Sequence, residues 1–459
     1  MSLQIVILAA GAGKRMFSQT PKVLHPIASK SMLARVVDVA QQLNPDAIHV
    51  VYGHEGEQIQ NALPDLPVHW VLQDKQLGTG HAVLQAIPHI PQASLVLILS
   101  ADVPMIQLAT LQALIKRSSS ESYFSTPLAL LLATVENPTG LGRIVCDSTG
   151  KIIAIVEEKD ASEEQRKIKD IYSGVCCAKA ADFARWLPQL GSNNAQGEYY
   201  LTDIIALATA EQTPIVSLFA ANATDIQGVN NRLQLQQLER VWQQRQAEQL
   251  LLSGVSIADA NRIDIRGELA CGRDVFIDVN CVFTGQVTLG DRCIIGPNCT
   301  LTNVTLAAGT QVFANSVLEG CELGEDCQIG PFARLRPGTS LANNCKIGNF
   351  VETKNAVFGE ASKASHLSYL GDVTLGKQVN IGAGTITCNY DGVNKHKTLI
   401  EDGVFVGSDT QFIAPVTIGA NATIGAGSTI RKDVPAGELT LTESRQKTVF
   451  GWKRPVKKG

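Results

Sequence analysis

Residues 8 to 22, LAAGAGKRMFSQTPK, gather small residues at Ala9, Ala10, Gly11, Ala12 and Gly13 with cations at Lys14, Arg15 and Lys22. Small residues let backbone N–H groups approach a ligand closely, and the cations neutralise phosphate, so the stretch reads as a grip for a nucleotide. It is not a P-loop, because GxxxxGK[ST] is absent, and the Rossmann glycine spacing is unmet. A second set of reactive types comes much later: Arg336 in ARLRPG, Lys354 in VETKNA, His366 and Tyr369 in SKASHLSYLGD, and Asn380 before IGAGT. Two cations, an imidazole and a phenol suit a small phosphorylated sugar, and histidine is the natural residue type for a base in acetyl transfer. Both sets have plainer alternatives: a turn after a strand for the first, a solvent-exposed loop histidine for the second.

The elements that must hold these residues differ in kind. QIVILAA, AIHVVYG, SLVLILSAD and LALLLATV are apolar runs of strand length, with helical periodicity in several of the segments between them. That alternation implies an α/β domain over about residues 1–230, with a largely parallel sheet covered on both faces. The stretch NNRLQLQQLERVWQQRQAEQLLLSG, with Leu235, Leu238 and Trp242 at helical spacing, reads as one amphipathic linker helix over 231–253. From 254 to 459 the period changes to six. LGDRCI, IGPNCT, LGEDCQ, IGPFAR, IGNFVE, LGKQVN, IGAGTI, IGANAT and IGAGST each place an aliphatic residue first and a small one fifth. This is the signature of a parallel β-helix, each hexad one face of a triangular coil, with the glycine expected to allow the corner. TCNYDGVNKHKTL, 387–399, has no hexad phase and must project as a loop.

Bulk properties narrow the function classes. The chain has 459 residues, 45% of them hydrophobic. That is long enough for more than one core, but no run of about 18 apolar residues could span a bilayer. The N-terminal apolar run leads into a glycine loop with no charged leader or cleavage site, so it reads as a strand, and a cytoplasmic address is the default expectation. A net charge of -4 gives no bulk attraction to nucleic acid or an anionic membrane, so anionic ligands must be met by local cations. The eleven cysteines show neither CxxC pairs nor Cys/His clusters, which argues against zinc and against a disulfide framework. Cys293, Cys299, Cys327 and Cys345 fall at the fifth hexad position and read as small buried hydrophobes.

LAAGAGKRM followed by PKVL resembles the signature of sugar-phosphate nucleotidyltransferases. With LQDKQLGTGHA, GVNNRLQL, ARLRPG, GNFVETKNA, HLSYLGD and NIGAGTITCNYDG, the whole chain is similar to the bacterial bifunctional N-acetylglucosamine-1-phosphate uridylyltransferases and glucosamine-1-phosphate acetyltransferases. The resemblance implies a Rossmann-like α/β nucleotidyltransferase domain with a mostly parallel sheet, followed by a left-handed parallel β-helix of hexapeptide repeats. It implies acetylation of glucosamine 1-phosphate by acetyl-CoA on the β-helix, then transfer of UMP from UTP to N-acetylglucosamine 1-phosphate with release of pyrophosphate.

Joining two polyanions calls for a divalent metal. The resemblance implies Mg²⁺ on Asp102 and Asn230, with Arg15 and Lys22 on the phosphates. It further implies Leu8, Ala9, Ala10, Gly11, Gln73, Gly78, Thr79 and Ser100 at the uridine nucleotide, and Gly142, Glu157, Tyr172 and Asn230 at the sugar. Asp102 could equally cap a helix, Asn230 beside Asn231 could start the linker helix, and LGTGH could be only a turn. On the β-helix the resemblance implies His366 as the base that deprotonates the attacking amine, with Arg336, Lys354, Tyr369 and Asn380 on the acceptor. Ala383, Asn389, Tyr390, Ser408, Ala426 and Arg445 are implied at acetyl-CoA, in a homotrimer whose acetyl sites form between neighbouring prisms.

The chain departs from the family pattern in three places. Ser100-Ala101-Asp102 stands for Tyr-Gly-Asp, Tyr172-Ser173-Gly174 for Asn-Thr-Gly, and Glu443 for a CoA-contacting Arg, with Arg445 two residues on. A different reading keeps only nucleotidyl transfer and makes the β-helix a structural or regulatory module. A third, non-enzymatic reading treats the chain as a scaffold or nucleotide sensor with degenerate sites.

Overall fold

The computed structural model describes all residues except Met1, Ala12, His54, Glu55, 120–125, Ser444, Lys458 and Gly459, so Ala12 of the first loop lies outside the described residues. The chain divides into two compact units, Met1–Trp242 and Gln243–Gly459.

The first unit is built on one sheet. Its strands run in the order Ile215–Phe219, Leu128–Thr134, Asp170–Lys179, Leu95–Ser100, Leu3–Leu8, Ala47–Tyr52 and His69–Leu72. Leu3–Leu8 pairs in parallel with both Ala47–Tyr52 and Leu95–Ser100, whereas Asp170–Lys179 runs antiparallel to both of its neighbours on this path. The sheet is therefore mixed, parallel through the half that holds the first loop. Ile5, Val6 and Ile7 have no exposed surface and face two separate apolar layers, which is what continuous β-branched runs predict for a strand covered on both sides. After Leu3–Leu8 the chain moves outward to Ala47–Tyr52 and His69–Leu72, then returns to the other side at Leu95–Ser100. That reversal opens a crevice at the C-terminal ends of Leu3–Leu8 and Leu95–Ser100.

The predicted linker helix forms over Arg232–Leu252. In the first unit its Leu238 is buried with Met16, Ile27, Met32, Met105 and Val229, and Trp242 stacks 3.7 Å from the Arg35 guanidinium. In the second, Gln243 exchanges two hydrogen bonds with the backbone of Ile265 at 2.7 and 2.9 Å, and Ala247 joins the aliphatic core. Each unit thus takes part of the helix into its own packing.

The second unit is a parallel β-helix in which strands pair with the next coil in register, as Phe276 with Ile294 and Val282 with Thr300. The first-position aliphatics Leu289, Ile295, Leu323, Ile329, Ile347, Leu375 and Ile424 are at most 3% exposed and form one column. The corners differ from expectation. In nearly every hexad the left-handed residue is the fourth and not the glycine: Arg292, Asn298, Asp326, Asn344, Phe350, Gln378 and Asn421 have φ between 54° and 62°. The second-position glycines serve close approach instead. A Cβ on Gly290 would lie 2.7 Å from Ala308 N, and one on Gly348 would lie 1.9 Å from Ser365 O.

The fifth-position cysteines are buried as expected, but they also donate. Cys293, Cys327 and Cys345 each reach a carbonyl of the following coil at 3.2 Å, as the Thr310 and Ser362 hydroxyls do at 2.8 and 2.7 Å. The phase-less stretch is shorter than expected. Ile386–Cys388 and Thr398–Ile400 are strands of the prism, so only 389–397 projects, closed by a bridge between Tyr390 and Lys395.

One buried group makes the first unit pH-sensitive. His49 is 4% exposed, bonded to Gln4 Oε1 at 3.0 Å and stacked on His69 at 5.4 Å. Burial, helped by His69 and His89, lowers it from 6.5 to about 4. The unfolded chain therefore binds a proton that the folded chain refuses, and stability present above pH 6.5 is lost as pH falls towards 4. Thermal unfolding of the wild type should weaken by on the order of 3 kcal/mol across that window. His49→Gln should remove most of this slope; a variant with the wild-type slope would refute the assignment.

Candidate functional sites

A cavity of about 580 Å³ opens at the crevice of the first unit. Leu8, Ala9, Ala10, Gly11, Lys22, Gln73, Gly78, Thr79, Ser100 and Asp102 all line it, joined by Lys14, Gln76 and Glu198. Asp102 is the electrostatic centre. One carboxylate oxygen pairs with the Lys22 ammonium and the other accepts from Ser100 Oγ at 2.6 Å. The helix starting at Leu108 has Gln107 at its N-cap, so Asp102 does not cap it. Gly78 does begin a helix, Thr79–Ala86, and does so with φ 113° against the Tyr199 backbone, where a Cβ would meet the carbonyl at 2.6 Å. Gln76 was not singled out from sequence, yet its Nε2 donates to Ala10 O at 2.6 Å and holds the small-residue loop from across the cavity.

Arg15 and Asn230 do not line this cavity but meet each other, Arg15 donating to Asn230 Oδ1 at 2.9 Å. Asn231, not Asn230, caps the long helix, accepting from Gln234 N at 2.9 Å. Val229 N donates to Asp102 O at 2.9 Å, which brings the segment before Asn230 onto the aspartate.

Gly142, Glu157 and Tyr172 form a third group. Tyr172 N donates to Gly142 O at 3.0 Å, and a Cβ on Gly142 would lie 3.5 Å from Glu157 Oε1. Burial raises the Glu157 carboxyl above its ordinary value, opposed by the Thr202 hydroxyl 3.4 Å away. The segment bearing Thr202 also supplies Leu201 N to Thr79 Oγ1 at 3.0 Å and Glu198 to the cavity wall, so it ties this group to the crevice. The Tyr172 ring itself packs against an apolar layer of the core.

On the prism, the register decides which residues meet. Arg334 and Leu335 pair with Glu352 and Thr353, so Arg336 lies one coil from Lys354, and Lys354 pairs with Gly371. The Tyr369 hydroxyl folds over Gly371, where a Cβ would lie 2.4 Å away. Lys395, from the projecting loop, comes against Lys354 and is the main cause of its lowered pKa, with Arg336 adding to the effect. Lys395 carries no hexad phase, so sequence spacing could not assign it a neighbour. Arg336 also pairs with Glu352 at 2.9 Å.

His366 is exposed, and its Nδ1 lies 2.8 Å from Asn349 Oδ1, 17 residues back. A coil-length count would have found this partner. Ala364, Ile381, Val406 and Ile424 follow one another in register, so the residues two places on, His366, Ala383, Ser408 and Ala426, form a single column. Above His366 that column carries only small side chains, at Ala383, Ser408 and Ala426. Asn380 occupies the neighbouring register between Lys363 and Phe405.

At the loop, Asn389 is buried and bonded to Asp372, while Tyr390 is exposed with its hydroxyl on Gly392 O. Past Leu439–Thr440 the terminal arm crosses Gly425 and bonds Ser428 through Thr442, beside Ala426. Arg445 and Glu443 on it are both exposed.

Residues 5–129 match the MobA-like NTP transferase domain, 265–355 the GMPPB C-terminal domain, and 397–432 a bacterial transferase hexapeptide of six repeats. Over all of its length the chain is 69% identical to "Bifunctional protein GlmU" of Legionella pneumophila (strain Corby), covering 99% of that protein. It is 53% identical to proteins of the same name from Marinobacter nauticus and Xylella fastidiosa (strain 9a5c), again covering 99% of each.

The three cations on the prism generate a binding prediction. Lys395→Ala should weaken binding of a phosphate monoester, glucosamine 1-phosphate in calorimetry, by roughly tenfold, the worth of one charge-assisted hydrogen bond. The difference should shrink as salt is raised. Equal affinity in wild type and variant would remove Lys395 from the site.

Proposed function

The chain belongs to the family of bifunctional GlmU proteins, and from that premise we propose how its two units act: the prism acetylates glucosamine 1-phosphate with acetyl-CoA, and the first unit joins the product to UMP from UTP. The observation that supports this reading is that one chain holds both a crevice lined by small residues with Lys14, Lys22 and Asp102 and, on the prism, His366 in register with Ala383, Ser408 and Ala426 together with a cluster of Arg336, Lys354 and Lys395.

On the prism, Arg336, Lys354 and Lys395 hold the phosphate of the amino sugar, and the coenzyme's slender arm lies along Ala383, Ser408 and Ala426. His366 takes a proton from the sugar nitrogen as that nitrogen attacks the thioester carbonyl. The C–N bond forms, the C–S bond breaks, and the proton passes to the departing thiolate. Tyr369 and Asn380 orient the acceptor; Asn389 and Tyr390 face the acetyl-CoA end; Arg445 of the arm meets a coenzyme phosphate.

In the crevice, Ala9, Ala10 and Gly11 admit the nucleotide close to the backbone, Gln73, Gly78 and Thr79 hold the base end, and Lys22 with Arg15 neutralises the phosphates. A phosphate oxygen of the sugar phosphate attacks the α-phosphorus of UTP and pyrophosphate leaves. Gly142, Glu157 and Asn230 bind the sugar. The donor set fits Mg²⁺: one carboxylate at Asp102 and an amide oxygen at Asn230, with Gly228 placing no side chain near Asp102 Oδ1. Mg²⁺ is commonly held by one or two protein carboxylates plus substrate phosphates and keeps several of its waters. When bound there, Mg²⁺ supplies charge neutralisation between the two polyanions.

The homotrimer is part of the same proposal. Phe332, Phe350 and Leu367 occupy successive left-handed corners with 48%, 55% and 62% of their surface exposed, and the two rings stack at 5.4 Å. Earlier corners of that column use Asn280, Asn298 and Asn315, the side chains that tolerate this backbone best. Bulky apolar residues there make sense if a second copy covers them.

Two measurements test these assignments. In an assay supplying glucosamine 1-phosphate, acetyl-CoA, UTP and Mg²⁺, His366→Ala should abolish acetyl-CoA consumption and leave pyrophosphate release from N-acetylglucosamine 1-phosphate intact, whereas Lys22→Ala should do the reverse. Persistent acetylation in the first variant would leave the prism a structural module. Separately, light scattering should find Phe350→Asn shifted from trimer towards monomer, and an unshifted mass would discount the corner as an interface.

A further inference from the structure

Within the acetyl-transfer reading, on which this inference rests, we propose that Asn349 is a positioning residue that fixes the tautomer and orientation of His366. The two are register partners on adjacent coils, at the ends of strands Lys346–Asn349 and Lys363–His366, with Asn349 Oδ1 2.8 Å from His366 Nδ1. An amide oxygen can only accept, so Nδ1 carries the hydrogen and Nε2 keeps the lone pair that a base needs.

The surroundings hold this arrangement on one side and leave it open on the other. Leu367 N donates to Asn349 O at 3.0 Å, and Ser368 Oγ donates to His366 O at 2.9 Å, so the backbone at both partners is fixed. Phe350, next in the chain, bonds through its N–H to Phe332 O at 3.0 Å and stacks its ring on Phe332. In the next coil the same column carries only the Ala383 methyl. The imidazole is therefore braced from the Asn349 side and accessible from the side assigned to the coenzyme.

The proton balance follows. Nε2 takes a proton from the nitrogen of glucosamine 1-phosphate as the C–N bond forms. The imidazolium is stabilised by the Asn349 amide dipole at Nδ1–H, and the same proton leaves Nε2 for the sulfur as the C–S bond breaks. With the asparagine oxygen gone, the ring is free to turn and to populate the tautomer whose Nε2 already carries hydrogen.

Three variants decide the matter. Asn349→Leu keeps the size but removes the acceptor; kcat for acetyl transfer should fall about 10- to 100-fold, the usual cost of losing a histidine's orienting partner, with KM for both substrates within about twofold. Asn349→Asp restores an acceptor oxygen and should recover most of kcat, which a merely structural residue would not do. Thermal unfolding of both variants establishes that the prism is intact. Wild-type kcat in Asn349→Leu, or Asn349→Asp as impaired as Asn349→Leu with unfolding unchanged, would overturn the proposal. His366→Ala separates the two levels: if it still acetylates, the base assignment itself fails, whereas an inactive His366→Ala beside a normal Asn349→Leu sinks only the positioning role.

Discussion

The prism depends on how closely its coils stack. Backbone pairing between successive coils leaves no room for a Cβ at Gly290, Gly348, Gly376 or Gly407, where each would come within 2.7 Å of the next coil's backbone or side chain. The aliphatic column gains burial only if that spacing is kept, and the left-handed fourth residues turn the chain so that it can be. Given the spacing, residues 17 or 18 apart become neighbours as rigidly as residues on adjacent strands of any sheet. The cation pair Arg336–Lys354, the pair Asn349–His366 and the column from His366 to Ala426 are consequences of that one constraint.

The first unit solves a different problem, holding concentrated negative charge at the edge of an apolar sheet. Strand order supplies the place, since the reversal around Leu3–Leu8 opens a crevice at the ends of two parallel strands. Charge supplies the rest. Asp102 sits between Lys22 and the Ser100 hydroxyl, each engaging one of its two carboxylate oxygens. Glu157 is held differently, its carboxyl raised above its ordinary value by desolvation.

The departures from the family pattern acquire physical content here. Ser100 in place of tyrosine brings a short hydroxyl that reaches Asp102 directly. Tyr172 in place of asparagine sends its ring into the apolar layer, while its backbone N–H still bonds Gly142 and Ser173 Oγ bonds Leu131 O at 2.7 Å. Nothing in the structure explains the exchange at Glu443, which is exposed.

Sequence alone determined what is periodic or contiguous. The strand runs, the long helix, the hexad phase with its buried first and fifth positions and the small-residue loop with its cations were all legible, because local pattern and burial are coupled directly. It misjudged the corner, since the glycine of each hexad catches the eye while the left-handed position is shared among Asn, Asp, Arg, Gln and Phe. Tertiary structure alone decided which distant residues touch: Arg15 with Asn230, Gln76 with Ala10, Lys395 with Lys354, Glu157 with Thr202. Those contacts follow from strand order and from where segments outside the repeat return, and neither is written in the spacing of residue types along the chain.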